Sequence, residues 1–156
     1  MVKVAFCIAV KKQKSAKMRW VLDPVFHVTQ HSKHKEILYD IQRLFGCGIV
    51  IKKYGQENTM QFVVQSRKDL VEKIIPFFKK YNLRVKAKDF EIFAEVVEAL
   101  DKHYHGSLID FRKLIPKIFL MNSEGKYRKY TLDEIMNSLG SSETIRQTRK
   151  TKLQKS

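Results

Sequence analysis

Acidic residues are scarce in this chain: 16 Asp and Glu stand against 31 Lys and Arg over 156 residues, which leaves a formal net charge of +15. Such an imbalance points to a polyanionic partner, nucleic acid or an anionic membrane, without choosing between them. Cysteine is sparse as well. With only Cys7 and Cys47 and no CxxC pair, a disulfide framework and a zinc set are both excluded, and the HYH at 103–105 has the wrong spacing for a finger. Both thiols are expected to be buried in strands. No apolar run approaches the ~18 residues of a spanning helix, and MVKVAFCIAV at the start lacks the flanks and cleavage site of a signal peptide. The expectation is an intracellular, soluble protein. What is present, a 44% hydrophobic content, excludes disorder throughout and suffices for one core.

The charge is concentrated near the N-terminus. Residues 1–35 hold eight cations (Lys3, Lys11, Lys12, Lys14, Lys17, Arg19, Lys33, Lys35) and one acid, Asp23, so this segment carries 8 − 1 = +7. A binding surface and a solvated face are equally compatible with that run.

Hydrophobic periodicity orders the chain. VKVAFCIAVKK and WVLDPVFHVTQ read as two strands joined by the basic connector KKQKSAKMR. HSKHKEILYDIQRLFG then places Ile37, Leu38, Ile41, Leu44 and Phe45 at helical spacing, with Ser32 as N-cap and Gly46 as C-cap. CGIVIKKY, the turn GQEN and TMQFVVQS form a second hairpin, and Ser66 caps the helix RKDLVEKIIPFFKKY despite Pro76. AKDFEIFAEVVEAL, SLIDFRKLIPKIFLMN and TLDEIMNSLG read as three more helices. The fold class is therefore α+β: a four-stranded antiparallel, saddle-like sheet in ββαββα order, with helices on one face and further C-terminal helices. Residues 1–140 form one domain. Residues 141–156, with five cations after Glu143 and no further acid, form a basic tail.

A sheet covered on one face must find an occupant or water for the other. By alternation Phe26, Val28 and Gln30 point one way and His27 and Thr29 the other, while Gln61, Val63 and Gln65 oppose Phe62 and Val64. Polar side chains on a basic, twisted sheet suit the DNA major groove. The RNA-recognition fold is disfavoured, because neither its βαββαβ order nor its glycine-aromatic signature occurs here.

The succession FHVTQHSKHKEILYDIQRLFGCG, YGQENTMQFVVQSRKDLVEKIIPFFKKYNL and KAKDFEIFAEVVEAL resembles the LAGLIDADG homing endonucleases, especially their single-motif, intron-encoded members. The resemblance covers residues 4 to about 100 closely and the helical remainder loosely. It implies a sheet lying across the major groove of double-stranded DNA, a homodimer on a nearly palindromic site, and Mg²⁺-dependent hydrolysis of both strands. It further implies that Gln30 orders water at the cleavage centre, that Lys33, His34 and Lys35 supply charge for the scissile phosphate, and that Lys86 lies near the active-site water. The catalytic candidates are thus Gln30, His34 and Lys86. The DNA-binding candidates are Lys11, Lys12, Lys14, Lys17, Arg19, Lys33, Lys35, Lys52, Lys53, Gln61 and Gln65. The chemistry stands apart from the family: a phosphodiester transition state gains negative charge that a cation stabilises, and the attacking water needs orientation.

One part of the pattern is missing. Aligning Phe6 with the start of the family's first strand puts Lys3 where the metal-binding acid belongs, and neither Asp23 nor Asp40 replaces it. Lysine cannot ligate Mg²⁺, so no metal residue is assigned and the motif helix is expected to be absent. Three readings follow: an enzyme whose true start lies upstream, a DNA binder that does not cut, and an RNA-binding helper of intron splicing. The helices at 67–81 and 88–100 are expected to expose apolar faces, leaving a weak monomer or a nonspecific associate in place of a clean dimer. The host compartment stays open among bacterial or archaeal cytoplasm, plastid and mitochondrion.

Overall fold

The computed structural model describes residues 2–16, 18–103, 107–122 and 128–139. Four strands, β1 (Lys3–Lys12), β2 (Trp20–His31), β3 (Ile49–Lys52) and β4 (Thr59–Val64), form one antiparallel sheet in the order β1-β2-β4-β3. Across all four strands the even-numbered residues share one face. Phe6 pairs with Phe26, Phe26 with Val64, and Phe62 with both Val28 and Val50. This face is apolar and carries the helices. β2 shows the rule most fully, since every even-numbered residue from Trp20 to Gln30 is buried and no odd-numbered one is. Pro24 interrupts nothing there, because the pairing of β2 with β4 begins only at Phe26 and its missing N–H faces no ladder.

A 3₁₀ turn at Ser32–His34 leads into α1 (Glu36–Phe45). The expected Ser32 cap is not used. His31 accepts the Lys33 N–H at its Nδ1 (3.2 Å), because the extra 3₁₀ turn moves the first unpaired N–H groups one residue back. Gly46 ends α1 as expected, in the left-handed conformation at φ 64°. Cys47 lies between Gly46 and Gly48, outside any strand, and both cysteines are half-buried, in contrast to the expected buried thiols. Gly48 is required by space as well as by its φ of +81°: a Cβ there would stand 2.5 Å from the Phe62 ring.

The second long helix, α2, is α-helical over Arg67–Asp69, π-helical over Leu70–Ile74 and α-helical again over Ile75–Lys80, with the Ser66 side chain capping its start. The Ile75 N–H bonds the Leu70 carbonyl, five residues back, immediately before Pro76, which has no N–H to contribute. Helices α3 (Ala87–Asp101), α4 (Leu108–Ile118) and α5 (132–139) follow among the described residues, α5 starting on a capping box in which the Thr131 and Glu134 side chains bond each other's backbone N–H.

Phe6 is the hub of the core, 5.3 Å centroid to centroid from each of Phe26, Phe78, Phe90 and Phe93. The apolar faces of α2 and α3 are covered within the chain, contrary to expectation. Leu70, Ile74, Phe93, Val96 and Val97 are all fully buried, closed over by the sheet and by Phe111, Ile115 and Ile118 of α4. The C-terminal helices supply cover that local sequence reading could not assign. No helix among the described residues is long and apolar enough to cross a membrane.

Candidate nucleic-acid interface

Among the described residues, the odd-numbered face is the one left for a partner. Lys3, Thr29, Gln61 and Ile51 lie side by side across it, and Ala5, His27, Val63 and Ile49 form the next row. The Gln61 side-chain amide donates to Thr29 Oγ1 at 3.3 Å, so two polar side chains are tied together at the centre of the face. His27 sits beside them. Burial, then Lys53, then Lys3 push its imidazole below the usual histidine range, which leaves it neutral at pH 7. Toward the hairpin tip the face ends in Lys11, held by Asp23 at 2.5 Å, with Lys14 and Arg19 exposed beyond it.

Some candidates lie elsewhere. Lys12 belongs to the even-numbered side, its ammonium over the rings of Trp20 (5.5 Å) and Tyr130 (5.6 Å). Lys52 shares that parity but is exposed at the end of the edge strand β3, whereas Lys53, which follows β3 and bonds the Thr59 carbonyl through its backbone N–H, acts on His27 through its charge. Gln65 is exposed just past β4, and Lys33, His34 and Lys35 are exposed in the turn that leaves β2. Lys17 and the tail 141–156 fall outside the described residues.

The catalytic candidates occupy separate places. Gln30 is on the even-numbered face, 7% exposed, with its Oε1 accepting the His31 N–H at 2.8 Å. His34 is on the following turn. Lys86, at φ 70°, precedes α3 and directs its ammonium to Asp89 Oδ2 and Asn122 Oδ1, both at 3.4 Å. Asn122 in turn donates its side-chain amide to the Phe6 carbonyl at 2.7 Å and its backbone N–H to Asp89 Oδ1 at 3.2 Å. Phe6 pairs with Phe26, four residues before Gln30, so this network and Gln30 are about 13 Å apart along the strand.

Arg128 completes the edge of β1. It donates to the carbonyls of Ile8 (2.7 Å) and Ile118 (3.0 Å), while burial lowers its pKa and its Nε has no partner. Cys7, also against this edge, has its thiol pushed up by burial more than Lys86 and Arg128 draw it down. Sequence reading missed Asp89, Asn122 and Arg128, whose partners are distant in the chain. It also omitted His27, although the alternation in FHVTQ put that residue on the open face.

Among the described residues no group of three His, Cys, Asp or Glu is placed to hold a metal, and Lys3 opens β1 opposite Thr29 where the resemblance calls for the acid.

Comparison with known proteins agrees with the fold. The family model described as LAGLIDADG endonuclease matches residues 5–97. The homing endonuclease I-ApeII of Aeropyrum pernix is 34% identical over 133 residues, covering 83% of this chain and 78% of that protein. The DNA endonuclease I-CeuI of Chlamydomonas moewusii is 31% identical over 115 residues, and the match spans only 51% of its length. Among solved structures, the archaeal intron-encoded homing endonuclease I-Vdi141I complexed with DNA superposes with a TM-score of 0.83 at 30% identity, over 90% of this chain and 89% of that one.

Proposed function

This chain belongs to the LAGLIDADG endonuclease family, and from that premise we propose that it binds double-stranded DNA in the major groove through the odd-numbered face of its sheet. The observation that carries the reading is the contiguous set Lys3, His27, Thr29 and Gln61 on a face that the described helices leave open, with Lys53 adding positive charge from the end of β3. Amide and imidazole groups read base edges there. Lys14 and Arg19 at the hairpin tip and Lys33 and Lys35 at the opposite end of β2 reach the flanking phosphates. Two copies would cover the two halves of a nearly palindromic site, so a homodimer on DNA is part of the proposal.

The proposal is confined to binding. Cleavage is the activity that membership suggests, but the described residues offer no metal site, so no hydrolytic step is assigned to Gln30, His34 or Lys86. Lys86 instead serves as a fixed cation near the edge of β1.

Selection of the full chain on a randomised duplex DNA pool tests the reading, followed by competition with an RNA duplex and incubation with Mg²⁺. The expected result is a defined consensus, affinity falling steeply with salt, and no cutting. Failure to enrich any sequence would overturn it, and clear preference for RNA would overturn it in favour of an intron-RNA ligand. Cutting by this chain would overturn the restriction to binding.

A further inference from the structure

The open face is not uniformly polar. Ile49 and Ile51 stand on it from the edge strand β3, 55% and 42% exposed, while Val50 between them turns toward the core. Neither isoleucine is needed to close the interior. Both abut the polar rows described above, Ile51 pairing with Gln61 and Ile49 with Val63 next to His27, and Lys52 and Lys53 follow directly along the chain. An apolar pair bordered by cations fits a polyanion that also presents apolar groups.

Duplex DNA offers such a group in its major groove at one standard base: the 5-methyl of thymine. The spacing agrees. Side chains at i and i+2 on a strand are about 6.7 Å apart, which is two base steps of about 3.4 Å. We propose that Ile49 and Ile51 are specificity determinants, each packing on a thymine methyl, with the two methyls two base steps apart on the side of the site that lies under β3. Gln61 and His27 then read hydrogen-bonding edges beside them. This inference rests on the odd-numbered face being the DNA surface.

Replacing thymine by uracil removes the methyl and keeps the base pair. In the duplex selected by the full chain, each thymine is replaced singly and affinity is measured for the wild type, Ile49→Ala and Ile51→Ala, with thermal melting as the folding control. Loss of one buried methyl weakens binding about three- to five-fold. The wild type is expected to show that loss at two positions two steps apart in each half-site, and each variant to lose the thymine–uracil difference at one of them in each half-site. Equal binding of thymine and uracil at every position would overturn the inference, as would variants that keep the full difference. A change of oligomeric state in Ile51→Ala with the difference intact would also overturn it, by assigning the patch to a second copy. Absence of any selected duplex would instead refute the underlying DNA reading.

Discussion

Asn122 donates its side-chain amide to the carbonyl of Phe6 at 2.7 Å, across 116 residues of sequence. Phe6 is the aromatic hub of the core and β1 is an edge strand, so this bond and the Arg128 bond to Ile8 satisfy outward carbonyls that would otherwise be open to another strand. The same Asn122 holds the Lys86 ammonium through its Oδ1.

Removing that amide should therefore loosen two things at once. Asn122→Ala is expected to destabilise the chain by about 1–3 kcal/mol, since it leaves the Phe6 carbonyl without its donor and puts a Cβ-bearing apolar residue at a φ of 48° that Asn tolerates. Asn122→Gly removes the amide without the backbone strain. A denaturant titration in which both variants lost less than about 0.5 kcal/mol would show the bond to be dispensable.

Gly48→Ala should cost more. A Cβ there meets Phe62 Cε2 at 2.5 Å and the Val63 carbonyl at 2.8 Å, at a φ of +81°, so overpacking and backbone strain combine to about 3 kcal/mol. The neighbouring Gly55→Ala isolates the strain, because a Cβ at Gly55, φ +74°, meets nothing within 4 Å. Equal melting temperatures for the two variants would contradict the steric argument.

The pattern of what the sequence disclosed follows from range. Strands, helices, the Gly46 and Ser66 caps and the two faces of the sheet depend on residues a few positions apart, and periodicity exposes them. Even the inward direction of Gln30 was legible, because it alternates in step with Phe26 and Val28. Its burial was not, since that depends on the whole even-numbered face being packed by helices. The cover over α3 was hidden for the same reason: Phe111 and Ile115 declare an apolar helix face but not its neighbour. The bonds from Asn122 and Arg128 to β1 leave no local signature at all, and the Ser32 cap failed because a single 3₁₀ turn transfers the capping role to His31.

Stability should depend on pH through His27. Its folded pKa lies below the ordinary 6.5, so between those two values the unfolded chain binds more protons than the folded one. Stability is then full above about pH 7, falls as pH drops through the ordinary histidine range, and levels off below the folded pKa until carboxylates titrate. His27→Gln is expected to flatten this segment of the curve. A variant whose stability falls in step with the wild type between pH 7 and 5 would place the dependence elsewhere.

Salt dependence can separate the DNA face from other lysine-rich surfaces. A groove of about 840 Å³ along α2, α3 and α4 is lined by Lys79, Lys102, Lys113 and Lys117, but also by Glu91, Glu95, Glu98 and Asp110. Lys79 is paired with Glu98 at 2.5 Å and Lys117 with Glu95, so this groove presents no net charge to a phosphate backbone. Lys33 and Lys35 are exposed in the turn that leaves β2, and if each neutralises one phosphate the double variant Lys33→Gln, Lys35→Gln should reduce the slope of log affinity against log salt by about 1.8. Lys79→Gln with Lys117→Gln should leave the slope unchanged. Because both double variants lower the net charge by two, a nonspecific attraction to the whole +15 chain would make them behave alike, whereas contact through the odd-numbered face separates them.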